Sequence, residues 1–142
     1  MSANLKEKGV SQEHKRAQTA ERFLRSLLDG APDTALIAPD FEYEQHFGFT
    51  AGLYVAEKGL QRWLETFYEV WDRASVEFEG ARETADRVGL DTRVLVRARQ
   101  TGIEVDLRST GIFQFAGDGR ITRVDSFNDP RVDAERLAEE RG

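Results

Sequence analysis

The chain contains no cysteine among its 142 residues. That absence excludes disulfide staples, thiolate nucleophiles and the usual structural zinc sites together. Histidine is almost as scarce, since only His14 and His46 occur and they show no metal-ligand spacing. A metal centre would have to be assembled from scattered carboxylates, so neither metal nor cofactor is expected. Basic residues are outnumbered 20 to 26 and the net charge is −6. A nucleic-acid partner normally requires a basic stripe to neutralise phosphates, so none is expected here. No apolar run approaches the length of a membrane span, which argues against a membrane partner. The lysines of the first ten residues lead into no apolar segment. A secretory signal is therefore not expected, and a cytoplasmic location is.

What remains is an ordinary globular composition, 39% hydrophobic and 32% charged, at a length suited to one domain. Residues 1–10 read as a flexible lead-in and residues 11–142 as a single domain. Ser11 is a reasonable N-cap, behind which Ala17, Ala20, Phe23, Leu24, Leu27 and Leu28 recur at helical spacing until Gly30. A single turn through Leu36 follows and stops at Pro39. From Phe41 to Phe47 the pattern alternates, with Phe41, Tyr43, Gln45 and Phe47 on one face and Glu42, Glu44 and His46 on the other. After a loop from Gly48 to Ala56 comes the strongest periodic signal: Leu60, Trp63, Leu64, Phe67, Tyr68 and Trp71 form one helical stripe.

The second half reads as four strands joined by turns. Val76 and Phe78 mark the first; Val88, Leu90, Val94, Val96 and Ala98 mark the second. Thr101-Gly102 turns the chain into Ile103 to Phe115, and Gly117-Asp118-Gly119 leads into Ile121 to Asn128. Asp129-Pro130 opens a short charged helix. Helices first and strands later imply an α+β fold with a curved, mainly antiparallel sheet wrapped around the aromatic-rich helix.

This order resembles the SnoaL-like branch of the nuclear transport factor two-like superfamily, a cystatin-like α+β cone. The resemblance rests on the aromatic helix after a glycine-containing loop, on Asp86-Arg87-Val88, on Gly102 to Arg108, and on Phe115 to Ile121 with its Gly-Asp-Gly turn. It ends at Phe127-Asn128-Asp129. It implies an internal pocket between sheet and helices, with Phe23, Leu27, Tyr43, Gln45, Trp63 and Phe67 facing inward from the first half. Ser109, Gly111, Phe113, Val124, Ser126 and Asn128 would face it from the last two strands. Isomerases of the ketosteroid type in this superfamily carry a tyrosine, a carboxylate base and a protonated acid where this chain has Phe23, Gln45 and Gly111. None of these three side chains can do that work, which argues against such chemistry.

Among candidate site residues, His46 is the only histidine in a predicted strand and could act as a general acid/base at the pocket mouth. Alternation instead points it away from the core with Glu42 and Glu44. Glu104, Asp106 and Arg108 share one strand face that alternation turns to solvent, and a one-residue bulge would reverse it. Tyr43, Gln45, Ser109, Ser126 and Asn128 are polar residues on predicted apolar faces and so need partners, either one another, water or a ligand. With Trp63, Phe67 and Phe113 they make up the expected ligand contacts. The expected function is binding of a small hydrophobic or oxygenated molecule. Its catalytic version is a cofactor-independent enzyme of cyclase, isomerase or hydrolase type; the alternative is a non-catalytic homodimeric scaffold whose cavity is filled by its own aromatic residues.

Overall fold

A computed structural model describes the backbone of residues 2–84 and 86–128 and the side chains of residues 15–84 and 86–128. Helix α1 (Ser2–Leu28) and a single 3-10 turn (Thr34–Leu36) lead into β1 (Ile37–Gln45) and β2 (Gly52–Val55). Helix α2 (Ala56–Val70) follows, then β3 (Trp71–Glu83), β4 (Arg87–Ala98), β5 (Glu104–Phe115) and β6 (Ile121–Phe127). The six strands form one sheet in the order β2-β1-β6-β5-β4-β3. All neighbours are antiparallel except β1 and β6, which run parallel. This is the expected α+β architecture, with α1 packed on β3 and β4 and α2 on β1, β2 and β3.

The core lies where the two apolar helix stripes meet the inward face of the sheet. Phe23, Leu27, Phe41, Leu60, Phe113 and Val124 are almost wholly withdrawn from solvent. Each such side chain is worth roughly 1.5–3 kcal/mol on full burial. In the last hairpin Gly119 takes a φ of 90°, and Asp118 accepts a hydrogen bond from the Arg120 backbone at 3.0 Å. These are the roles that glycine and aspartate play in tight turns.

Four boundaries differ from the sequence expectation, each for a local reason. Helix α1 begins at Ser2, so Ser11 lies inside it and does not cap it. The early stretch is rich in Lys, Glu and Gln, which favour helix without presenting an apolar stripe to detect. Strand β1 begins at Ile37 and passes through Pro39. Its pairing with β6 shifts between Ile37 and Glu42, where proline's missing N–H is tolerated. Part of the expected loop is strand β2, whose Tyr54 lies opposite Tyr43. Finally, Trp71 belongs to β3 and not to the helix: its N–H still bonds to the Phe67 carbonyl, while its own backbone is extended. Arg99 closes this helix end by donating to the Tyr68 carbonyl from Nε at 3.1 Å and Nη2 at 2.7 Å. The charged helix expected after Asp129 lies outside the described residues.

Helix α2 can lie close to β2 because position 59 has no side chain. A Cβ on Gly59 would stand 2.7 Å from the Tyr54 carbonyl carbon and 3.0 Å from its Cα. Both atoms are backbone, so α2 itself would have to move. Gly59→Ala is therefore expected to destabilise the protein by about 1–3 kcal/mol, despite alanine's higher helix preference. Gly117→Ala, where a Cβ meets nothing within 4 Å, is expected to be nearly neutral. Urea denaturation of the two variants side by side checks this.

Candidate functional site

A cavity of about 190 Å³ lies between the inward face of the sheet and the two helices. Strand alternation builds the inward face of the sheet beneath it, and pairing orders that face into rows. In one row Leu90, Gly111, Ser126 and Gln45 stand side by side across β4, β5, β6 and β1. In the next, Val88, Phe113, Val124 and Tyr43 do the same. The roof is aromatic: Trp63 and Phe67 of α2 stack at 4.8 Å with planes only 16° apart. Leu24, Leu27 and Leu28 of α1 complete it. The segment from Phe47 to Thr50 borders the cavity, and Phe49, half exposed, rests on Trp71 with ring centroids 6.2 Å apart.

The polar groups of this wall are neutral. Gln45 is held at both ends of its amide: Oε1 accepts from Trp63 Nε1 at 2.9 Å, and Nε2 donates to the Phe47 carbonyl at 2.8 Å. Tyr43 is 5% exposed, and burial pushes its hydroxyl up to about 12; the Ser126 side chain works against that shift without cancelling it. Thr92 and Ser109 face each other across β4 and β5 with their hydroxyl oxygens 2.8 Å apart. The Thr92 hydroxyl can also donate to the Ser109 carbonyl at 3.3 Å. Among the described residues, no carboxylate, imidazole, ammonium or guanidinium lines the cavity.

Seven of the sequence-derived candidates meet here: Tyr43, Gln45, Trp63, Phe67, Ser109 and Phe113 all line the cavity, as does Ser126. Asn128 does not, and it is exposed. Phe23 is buried but packs on Phe41, at 5.4 Å between rings, and its neighbour Leu24 lines the cavity instead. Thr92 also lines the cavity, beyond the residues expected from the sequence. Its place in the alternation Val88, Leu90, Thr92, Val94 is the signal that marks it.

His46 is not at the pocket mouth. Its side chain lies on the opposite face, stacked on Phe127 at 4.4 Å, with Nε2 2.9 Å from Asp125 Oδ1. There Arg123 donates to Glu42, Glu44 and Asp125 at 3.0, 2.5 and 2.8 Å, and these carboxylates, Asp125 foremost, raise its pKa further. Glu44, His46 and Asp125 could present three metal ligands within 4.8 Å of one another. The Arg123 guanidinium already supplies the cation to both carboxylates, so the cluster is satisfied without a metal. Glu104, Asp106 and Arg108 are exposed on this outer face, with Asp106 paired to Arg93 at 2.8 Å.

Comparison with known proteins finds the same fold. An NTF2-like protein from Burkholderia thailandensis E264 superposes with a TM-score of 0.68 at 22% identity, covering 86% of this chain and 96% of that one. A protein with a ketosteroid isomerase-like fold from Catenulispora acidiphila DSM 44928, in complex with trimethylamine, gives 0.66 at 11% identity, covering 79% and 85%. TerC co-crystallised with polyporic acid gives 0.69 at 18% identity, covering 84% and 95%. At these identities the likeness concerns the fold. No curated protein sequence matches the chain. The SnoaL-like domain model matches residues 20–124, which is most of the chain and spans both helix stripes and all six strands in part or whole. The chain belongs to the SnoaL-like domain family.

Proposed function

We propose that this protein binds a small, uncharged, hydrophobic and oxygenated molecule in the cavity beneath Trp63, without a cofactor. The observation that carries this reading is the wall itself: mostly apolar, with a few hydroxyl and amide groups and no ionised side chain among the described residues. Ligand sites commonly combine an apolar lining with a few placed polar groups. A charged ligand would lose its hydration and find no counter-charge. The crystallised complex of TerC with polyporic acid supports an organic ligand in this kind of fold.

Binding is favoured over proton-transfer catalysis. General acid/base work needs a group that titrates near the operating pH within hydrogen-bond reach of the substrate. His46 stands on the other face, and Tyr43 is held neutral far above that range. The scaffold alternative requires aromatic side chains to fill the cavity; here they line it and leave it open.

Both tryptophans of the chain, Trp63 and Trp71, line the cavity, so their indole N–H signals in two-dimensional NMR report on it directly. Acetophenone is expected to shift both signals saturably, and benzoate to leave them unmoved. Val94→Phe, which fills the wall, is expected to weaken acetophenone binding about tenfold or more while unfolding stays cooperative. Equal binding of benzoate, or unchanged binding by the filled variant, would overturn the reading.

The buried Tyr43 hydroxyl also has a pH signature. Its folded pKa of about 12 lies above the ordinary 10.0, so the unfolded chain loses this proton first as pH rises. The stabilisation, on the order of 2–3 kcal/mol, is present in full below pH 10 and disappears as pH climbs toward 12. Urea midpoints across that window are expected to fall less steeply in Tyr43→Phe than in the unsubstituted protein.

A further inference from the structure

The cavity wall contains two separate hydroxyl pairs, and they are chemically unlike. Tyr43 and Ser126 form one, on neighbouring strands β1 and β6. The Tyr43 phenol remains protonated and can donate. Thr92 and Ser109 form the other, on β4 and β5. Its two protons have two internal acceptors: Thr92 Oγ1 can donate to the Ser109 carbonyl at 3.3 Å, and Ser109 Oγ to Thr92 Oγ1 at 2.8 Å. With both protons used, the pair offers lone pairs to the cavity and no hydrogen. It is also a polar island, flanked along the strands by Leu90 and Gly111 on one side and by Val94 and Leu107 on the other.

Gly111 lies between the two pairs. It is two residues along β5 from Ser109 and directly opposite Ser126. Sheet spacing places Ser109 and Ser126 about 8 Å apart. A Cβ on Gly111 would stand 2.9 Å from Phe113 Cε1, so the floor between the pairs is flat only because this residue is glycine. The available space is about 190 Å³. An apolar cavity of roughly 150 Å³ suffices for benzene, so the volume suits one ring with short substituents and not a fused polycycle.

From these observations we infer that the Thr92–Ser109 pair determines specificity. It accepts a hydrogen bond from the hydroxyl or N–H at one end of an uncharged single-ring ligand, whose other end carries a carbonyl facing the Tyr43 hydroxyl. This rests on the reading of the cavity as a binding site and adds the ligand's size, polarity and direction.

The test uses 4-hydroxyacetophenone, 4-methoxyacetophenone and acetophenone, at mildly acidic pH so that the phenol stays protonated, with the two indole signals as readout. The unsubstituted protein is expected to bind the hydroxy compound about tenfold more tightly than the methoxy compound, the worth of one buried hydrogen bond. Thr92→Val and the double variant Thr92→Val/Ser109→Ala are each expected to reduce that ratio toward one while still binding acetophenone, and Thr92→Ser is expected to restore it. A merely structural role would lower affinity for all three compounds together and leave the ratio unchanged. If all three bind equally to the unsubstituted protein, or the ratio survives in both variants, this inference is overturned and the binding site stands. If none of the three perturbs either indole in the folded protein, the binding-site reading itself fails, and this inference with it.

Discussion

The hydrogen bond from the Trp63 indole to the Gln45 amide oxygen, 2.9 Å long and buried, holds the rest of the structure in register. It joins the middle of α2 to the end of β1, and the same amide reaches on to the Phe47 carbonyl at 2.8 Å. One side chain therefore fixes the helix, a strand and the segment bordering the cavity. Leaving either partner unpaired in this setting costs about 1–3 kcal/mol, which opposes separating the three elements. Glutamine suits the position because it accepts and donates at once while remaining uncharged. A carboxylate at the same place could accept from Trp63 but would repel the Phe47 carbonyl and bring a charge into an apolar wall. Gln45 is thus a structural strut between helix and strand.

The sheet keeps its two faces chemically separate, and it does so with nothing more than the two-residue period of a strand. On β1, Tyr43 and Gln45 face the cavity, while Glu42 and Glu44 meet Arg123 behind it. On β6, Val124 and Ser126 face inward, while Arg123 and Asp125 pair with each other and with β1. A slip of one residue in either strand would carry several charges into the cavity and several apolar groups out of it. Many of the outer ion pairs are exposed, as with Arg93 and Asp106, and such pairs add little stability individually. Their larger effect is on register, since every misaligned pairing would bury a charge.

How far this could be read from the sequence depended on whether a local pattern or a distant contact set each feature. The stripe through Leu60, Trp63, Leu64 and Phe67 is local, and the helix forms as its spacing requires. The alternation on β1 and β5 is local too, and it placed Tyr43, Gln45, Ser109 and Phe113 on the wall. Strand β2 is different, because four residues after a glycine-containing loop become a strand only by pairing with β1. The end of α2 has no glycine or proline stop. It is set by Trp71 pairing with Ala98 and by Arg99 reaching the Tyr68 carbonyl, both contacts from about thirty residues away in sequence. Asn128 shows the limit of extending an alternation past its strand: β6 ends at Phe127, and the next side chain no longer follows the period.

A cavity this apolar persists only if the ways of closing it are blocked. Tilting α2 inward would break the bond between Trp63 and Gln45 and separate Gly59 from the Tyr54 backbone it rests against. Filling the floor from β5 would require a side chain at position 111, which the Phe113 ring excludes. Drawing in the outer charges would require stripping Arg123 of its carboxylates. Each obstacle is a packing or pairing constraint already satisfied elsewhere in the fold, so the open space is a consequence of the architecture and not a defect in it. The same constraints keep the wall uncharged, because no charge can be brought to it without undoing the arrangement that keeps it open.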